Sequence, residues 1–161
     1  MVSKNEPIKL AMVGHVDTGK STTLGNLLYL TGNITDHEMD KTKKEAENNG
    51  KKKFCYAYLL DIDTEERSRG ITQSYNIIDF NYNNNQYKLI DTPGHKLYIK
   101  EMIEALSTNN DTTVCVVVSC VDNEFNSSLN GGTTKEDILL IRGCDIQNIV
   151  CLLYTSDAAD E

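Results

Sequence analysis

Apolar residues along this chain fall into short runs separated by stretches of helical spacing, and that alternation predicts most of the architecture. "IKLAMV", Ile8 to Val13, reads as a first strand. Lys20 to Leu30 follows as a helix with Leu24, Leu27 and Leu28 on its inner face. Asp36 to Asn49 is a highly charged second helix ending at Gly50, polar enough to lie outside the core. Ser74 to Tyr82 and "QYKLID" alternate about "NNN", Asn83 to Asn85, which predicts a hairpin. After it come a helix from Leu97 to Ser107, a buried strand from Thr113 to Ser119 and a loop rich in Asn, Ser and Gly from Asn123 to Gly132. A helix from Lys135 to Gly143 and a strand from Asn148 to Leu153 complete the pattern. Strands alternating with helices imply an α/β fold, a doubly wound and mostly parallel sheet with one antiparallel edge strand contributed by the hairpin.

Composition narrows this without redirecting it. The 161 residues suffice for one domain of ordinary size, and no apolar run approaches a membrane span. The N-terminus has no basic region followed by an apolar stretch, so a cytoplasmic protein with no membrane partner is expected, a monomer in the simplest case. Five cysteines form no CxxC pair, and the histidines His15, His37 and His95 make no metal-ligand spacing. A net charge of -8 opposes nonspecific attraction to a nucleic-acid backbone. The lysines at 41, 43, 44, 51, 52 and 53 read first as the solvated face of a charged helix and second as a local RNA contact.

The chemistry is concentrated in three segments. Gly14-His15-Val16-Asp17-Thr18-Gly19-Lys20-Ser21 fits GxxxxGK[ST] between a strand and a helix, the setting in which such a loop turns its backbone N–H groups around phosphate oxygens. Lys20 would reach the outer phosphates and the Ser21 hydroxyl a Mg²⁺ ion. Asp91-Thr92-Pro93-Gly94-His95 closes a strand where a Walker-B aspartate would act on the magnesium shell through water. The Gly94 backbone would approach a γ-phosphate there, and His95 an attacking water. "ERSRGIT" places the Thr72 hydroxyl before the hairpin, either as a third magnesium contact or as the first residue of a strand.

In this order "GHVDTGKST", "RGIT" and "DTPGH" resemble the first three motifs of the GTP-binding domain of translational GTPases, the elongation factor Tu class of P-loop NTPases. The segment from about 32 to 63, a helical insertion before the first switch, resembles the branch containing elongation factor 1-alpha and its termination and ribosome-rescue relatives. The resemblance implies GTP or GDP held by Gly14 to Thr22 and by Asp91 to His95. It implies Mg²⁺ on Ser21 and Thr72, with Asp91 through water, and His95 as the catalytic residue. It also implies GTP hydrolysis, a ribosome and a tRNA or tRNA-like factor as partners, and a nucleotide exchange factor. Two alternatives remain at this point: a sulfate-activation GTPase of the same branch, and a non-hydrolysing phosphate-binding fragment.

Departures from the pattern sit at the end of the chain. Where the family carries NKxD after its fifth strand, "YTSD" stands here, so guanine selectivity is implied by resemblance alone. The final "YTSDAADE" is small and acidic and resembles translated adapter sequence. The expectation is therefore a partial GTP-binding domain over 1–153, incomplete at its C-terminus, with a non-native tail over 154–161.

Overall fold

The computed structural model describes residues 6–60, 74–107 and 111–154. Five strands form one sheet: β1 (Ile8–Val13), β2 (Asn76–Tyr82), β3 (Asn85–Asp91), β4 (Thr112–Ser119) and β5 (Ile149–Tyr154), in the order β2-β3-β1-β4-β5. β1 runs parallel to both β3 and β4, β4 runs parallel to β5, and β2 alone is antiparallel to its neighbour. Asn83 and Asn84 take left-handed backbone angles (φ 47 and 63) in the hairpin turn, a conformation asparagine tolerates well.

Because side chains alternate along a strand, the central strands feed two separate cores. Ala11, Val13, Val114, Val116 and Val118 pack with Met102, Ala105, Leu106 and Ile141 on one face. These come from α4 (Ile99–Ser107) and α6 (Thr134–Gly143). Met12, Leu89, Cys115 and Val117 point the other way, against Leu24 and Leu28 of α1 (Lys20–Leu30) and Leu60 of α3 (Cys55–Leu60). Both faces are covered, which is why β4 reads as an unbroken apolar run.

The expected elements form, with some differences. The charged segment α2 (Asp36–Asn48) starts on a capping box in which Thr35 and Glu38 satisfy each other's backbone N–H. It is not wholly outside the fold, because Met39 and Ala46 are buried. The helix expected from Leu97 begins as a tight turn over Lys96–Tyr98 and becomes α4 at Ile99. The stretch expected as a loop after β4 is instead mostly α5 (Asp122–Asn130). Ser119 explains that start: its hydroxyl accepts from Val121 N–H and donates to the Glu124 carboxylate at 2.6 Å, organising a helix end that lacks a side-chain cap. Asp122 and Glu124 in the first turn complement the helix dipole.

Tyr154, grouped by its sequence with the final acidic stretch, is the last residue of β5, pairing with Ser119. Residues 155–161 lie outside the described residues, as does the end of the 32–63 segment beyond Leu60.

Gly25 is the point where α1 meets α3. A side chain at that position would run into the backbone carbonyl of Tyr56. Alanine is normally favoured over glycine inside a helix by about 1 kcal/mol, yet here the contact is rigid backbone. Gly25→Ala is therefore expected to lower stability by about 1–3 kcal/mol, read as a lower urea midpoint. A midpoint that stayed put or rose would mean that α3 does not press on Gly25.

Candidate nucleotide-phosphate site

The turn from Gly14 to Gly19 leaves the C-terminal end of β1, the strand on whose two sides the sheet winds in opposite senses. Ligand crevices of α/β sheets open at that position. Asp17 and Gly19 both have left-handed backbones (φ 62 and 87), Gly19 as the residue before the first turn of α1. The His15 carbonyl is the hub inside this turn, accepting from the Thr18 hydroxyl at 2.8 Å and from Lys20 Nζ at 2.8 Å. Lys20 is buried at 7% exposure. Burial lowers its pKa, and Asp91, Asp137 and Asp17 oppose that effect in decreasing order.

The segment Asp91 to His95 arrives from β3 beside this turn. Ser21 Oγ donates to Asp91 Oδ2 at 2.8 Å, joining residues 70 positions apart. Thr92, fully buried, donates its hydroxyl to the Met12 carbonyl at 2.6 Å and so ties the start of the segment to β1. Pro93 is buried. Gly94 is pressed into the turn: a Cβ there would meet Lys20 Nζ at 2.5 Å and the Gly14 carbonyl at 2.7 Å. Only a residue without a side chain fits between them.

His95 accepts from Leu97 N–H through Nδ1 at 3.3 Å. With His15, Val16, Asp17 and Thr18 it lines a cavity of about 400 Å³, closed on its other side by Glu124 and Ser127 of α5. Val16 and Asp17 thus face this cavity, and Thr22 lies in the first turn of α1 beyond the loop. Thr72 lies outside the described residues.

Four residues here carry no motif. Glu124 and Ser127 reach the cavity only because the segment after β4 is helical. Thr133, before α6, donates its N–H to His15 Nδ1 at 3.3 Å and its hydroxyl to the Gly94 carbonyl at 3.3 Å. The His15 ring therefore accepts at Nδ1, and burial, then Lys20, hold its pKa below the usual value. Asp137, one turn further along α6, is 3% exposed, and burial raises its pKa to about 6. Its one sequence signal was an acidic residue in a helix's first turn.

The donors suit a hard divalent cation: the Ser21 hydroxyl and the Asp91 carboxylate are both oxygen ligands, and they meet at the phosphate turn. Mg²⁺ takes oxygen ligands and keeps several of its waters, so a site with one hydroxyl and one carboxylate fits it.

The chain matches the family described as Elongation factor Tu GTP binding domain over residues 5–160. It is 40% identical over 143 residues to an elongation factor 1 alpha-like protein of Schizosaccharomyces pombe, covering 89% of this chain and 24% of that protein. It is 36% identical over 154 residues to elongation factor 1-alpha of Aeropyrum pernix, covering 95% of this chain and 35% of that one. The chain thus spans about a quarter and about a third of the length of these two relatives. Among solved structures its fold is similar to the S. cerevisiae Ski7 GTPase-like domain bound to GTP, with TM-score 0.70, 18% identity and coverage of 93% of this chain and 43% of that one.

Thr92 offers a test of this geometry that needs no ligand. Thr92→Val keeps the shape but leaves the buried Met12 carbonyl without the hydroxyl, so a stability loss of about 1–2 kcal/mol is expected in chemical denaturation. No loss would show that the Asp91 to His95 segment is held to β1 by packing alone.

Proposed function

The chain belongs to the elongation factor Tu GTP-binding-domain family, translation-factor GTPases, and on that premise we propose how its own residues bind and hydrolyse GTP. The observation that carries the reading is convergence: the turn 14–19, the Ser21–Asp91 pair and Gly94 meet around Lys20 at one end of the sheet. Separately each is a common local feature. Together they supply amides, one cation, one metal-binding pair and one unobstructed backbone, which are the needs of a polyphosphate ester.

In this reading the backbone from Gly14 to Gly19 and the first turn of α1, through Thr22, wrap the phosphates while Lys20 leaves the His15 carbonyl for phosphate oxygens. Ser21 and Thr72, with Asp91 through water, would hold Mg²⁺, which would neutralise charge on the outer phosphates. Gly94 N–H faces the γ-phosphate. His95, with its Nδ1 occupied by Leu97 N–H, presents Nε2 to an attacking water in the cavity shared with Val16 and Asp17. Thr72 and Gly94 would mark two segments that order around a triphosphate and relax after its cleavage.

The protein carrying this domain would act as an elongation factor 1-alpha-like or related termination or rescue factor in the cytoplasm. Its partners would be the ribosome, a tRNA or tRNA-like factor, and an exchange factor. Among the described residues no helix is long and apolar enough to cross a membrane.

Two substitutions separate binding from chemistry. Lys20→Ala is expected to weaken GDP and GTP binding by two orders of magnitude or more in a fluorescent-nucleotide titration. His95→Ala is expected to bind normally while ribosome-stimulated phosphate release slows by about 10²–10⁴-fold. An unchanged release rate would remove His95 from its role, and equal affinity for ATP and GTP would favour a phosphate-binding module without base selectivity.

A further inference from the structure

Beneath the phosphate turn the first turn of α6 carries a carboxylate that the chemistry above does not use. Asp137 is 3% exposed, and its Oδ2 finds no hydrogen-bond partner among the described residues. A buried carboxylate oxygen left in that condition is costly unless a charge nearby compensates it. The cation acting on it is Lys20, itself 7% exposed, and Asp137 in turn ranks second among the acids acting on Lys20. Glu136 also acts on it, but the Glu136 carboxylate is turned to solvent, where Lys96 meets it at 3.4 Å.

Thr133 connects this carboxylate to the turn. Its hydroxyl lies 3.3 Å from the Gly94 carbonyl and 3.2 Å from His15 Nδ1, and it also acts on the Asp137 carboxylate, four residues on along the same helix start, favouring the charged form against burial. His15 already receives Thr133 N–H at 3.3 Å, so the contest for the hydroxyl proton lies mainly between Asp137 and Gly94. A charged Asp137 draws the proton, and a neutral one releases it to Gly94.

We infer that Asp137 is a positioning residue of the phosphate site, a buried counter-charge for Lys20 that takes up a proton when phosphate oxygens replace it. The inference rests on the phosphate-binding reading. Like charges gathered around one buried ammonium repel each other more strongly than they would in water, because the surroundings screen them less. Phosphates brought to Lys20 therefore both satisfy the ammonium and repel a second buried anion behind it. Protonation is the cheaper response, since it leaves a neutral acid able to donate its own hydrogen bond. The Thr133 hydroxyl then turns to the Gly94 carbonyl and fastens α6 to the segment that would face the γ-phosphate.

The sign of the linkage follows. Burial holds Asp137 at about 6, and phosphate beside Lys20 raises it further. Binding thus tightens as pH falls from the raised value toward 6 and levels off below it, tenfold for each unit of rise.

The test is calorimetric titration of the chain with GDP and Mg²⁺ from pH 5.5 to 8, in two buffers of different ionisation enthalpy, so that protons taken up per nucleotide are counted. Asp137→Asn, neutral at every pH, should bind severalfold tighter than the unmodified chain at pH 8, equal it near pH 5.5, and lose the part of the proton uptake due to Asp137. Thr133→Val, which deprives the charged carboxylate of its donor, should shift the unmodified profile in the same direction by a smaller amount, and keeps the question open to decision if Asp137→Asn does not fold. Identical proton counts and pH profiles in the unmodified chain and the folded variants would overturn the inference while leaving phosphate binding intact. A chain that binds no GDP at any pH would overturn the functional reading and the inference with it.

Discussion

An ammonium buried as deeply as that of Lys20 must be surrounded by oxygen, and this requirement orders one whole end of the molecule. Its stem leaves the first turn of α1, so the oxygen nearest to hand is the His15 carbonyl within the same turn. A carbonyl can face inward there only because Asp17 and Gly19 adopt left-handed angles that reverse the chain. The remaining charge is balanced from other elements: Asp91 at the end of β3 and Asp137 at the start of α6. Those elements reach Lys20 because β1 lies between β3 and β4 in the sheet, so loops from both sides open over the same crevice. The sheet order is thus also an electrostatic arrangement.

The parts legible in the sequence are those whose causes are local. A strand, a glycine-bounded turn and a helix occupy some two dozen residues, and their boundaries could be read because each signal lies within a few residues of what it controls. Asp91 was legible for the same reason, as an acid at the end of an alternating strand, and Ser21 as the hydroxyl that closes the glycine-bounded turn, although their hydrogen bond to each other was not. The antiparallel place of β2 came from the asparagine turn, since a connection that short permits no crossover.

What could not be read depends on contacts distant along the chain. Thr133 lies 118 residues from His15, and no periodicity announces a threonine whose N–H is aimed at a ring nitrogen. Asp137 is an acidic residue in a helix's first turn, a position usually explained by the helix dipole and solvent. Its burial follows from the way α6 packs against the sheet through Ile141. The segment after β4 misled for another reason: Asn, Ser and Gly favour loops, and the residue that overrides this preference, Ser119, lies before the segment, in the strand. Propensity is a weak prior where a buried hydroxyl can order a helix start.

These distant residues share a task that the motifs do not perform. The turn 14–19 and the Asp91 to His95 segment present groups to a ligand, but both are loops, and loops hold geometry only as well as their surroundings allow. Rigidity enters from behind: Thr92 on the Met12 carbonyl, Thr133 on both His15 and Gly94, and Glu124 on Ser119 where the cavity wall is formed. Each of these contacts joins a motif, or the wall beside it, to a strand or a helix end with its own place in the core. A residue substituted in a motif would remove a contact to phosphate. A residue substituted behind it would leave the groups that face phosphate in place and alter their aim or, at Thr133 and Asp137, the charge balance behind them, which makes the two kinds of position separable by comparing affinity with stability.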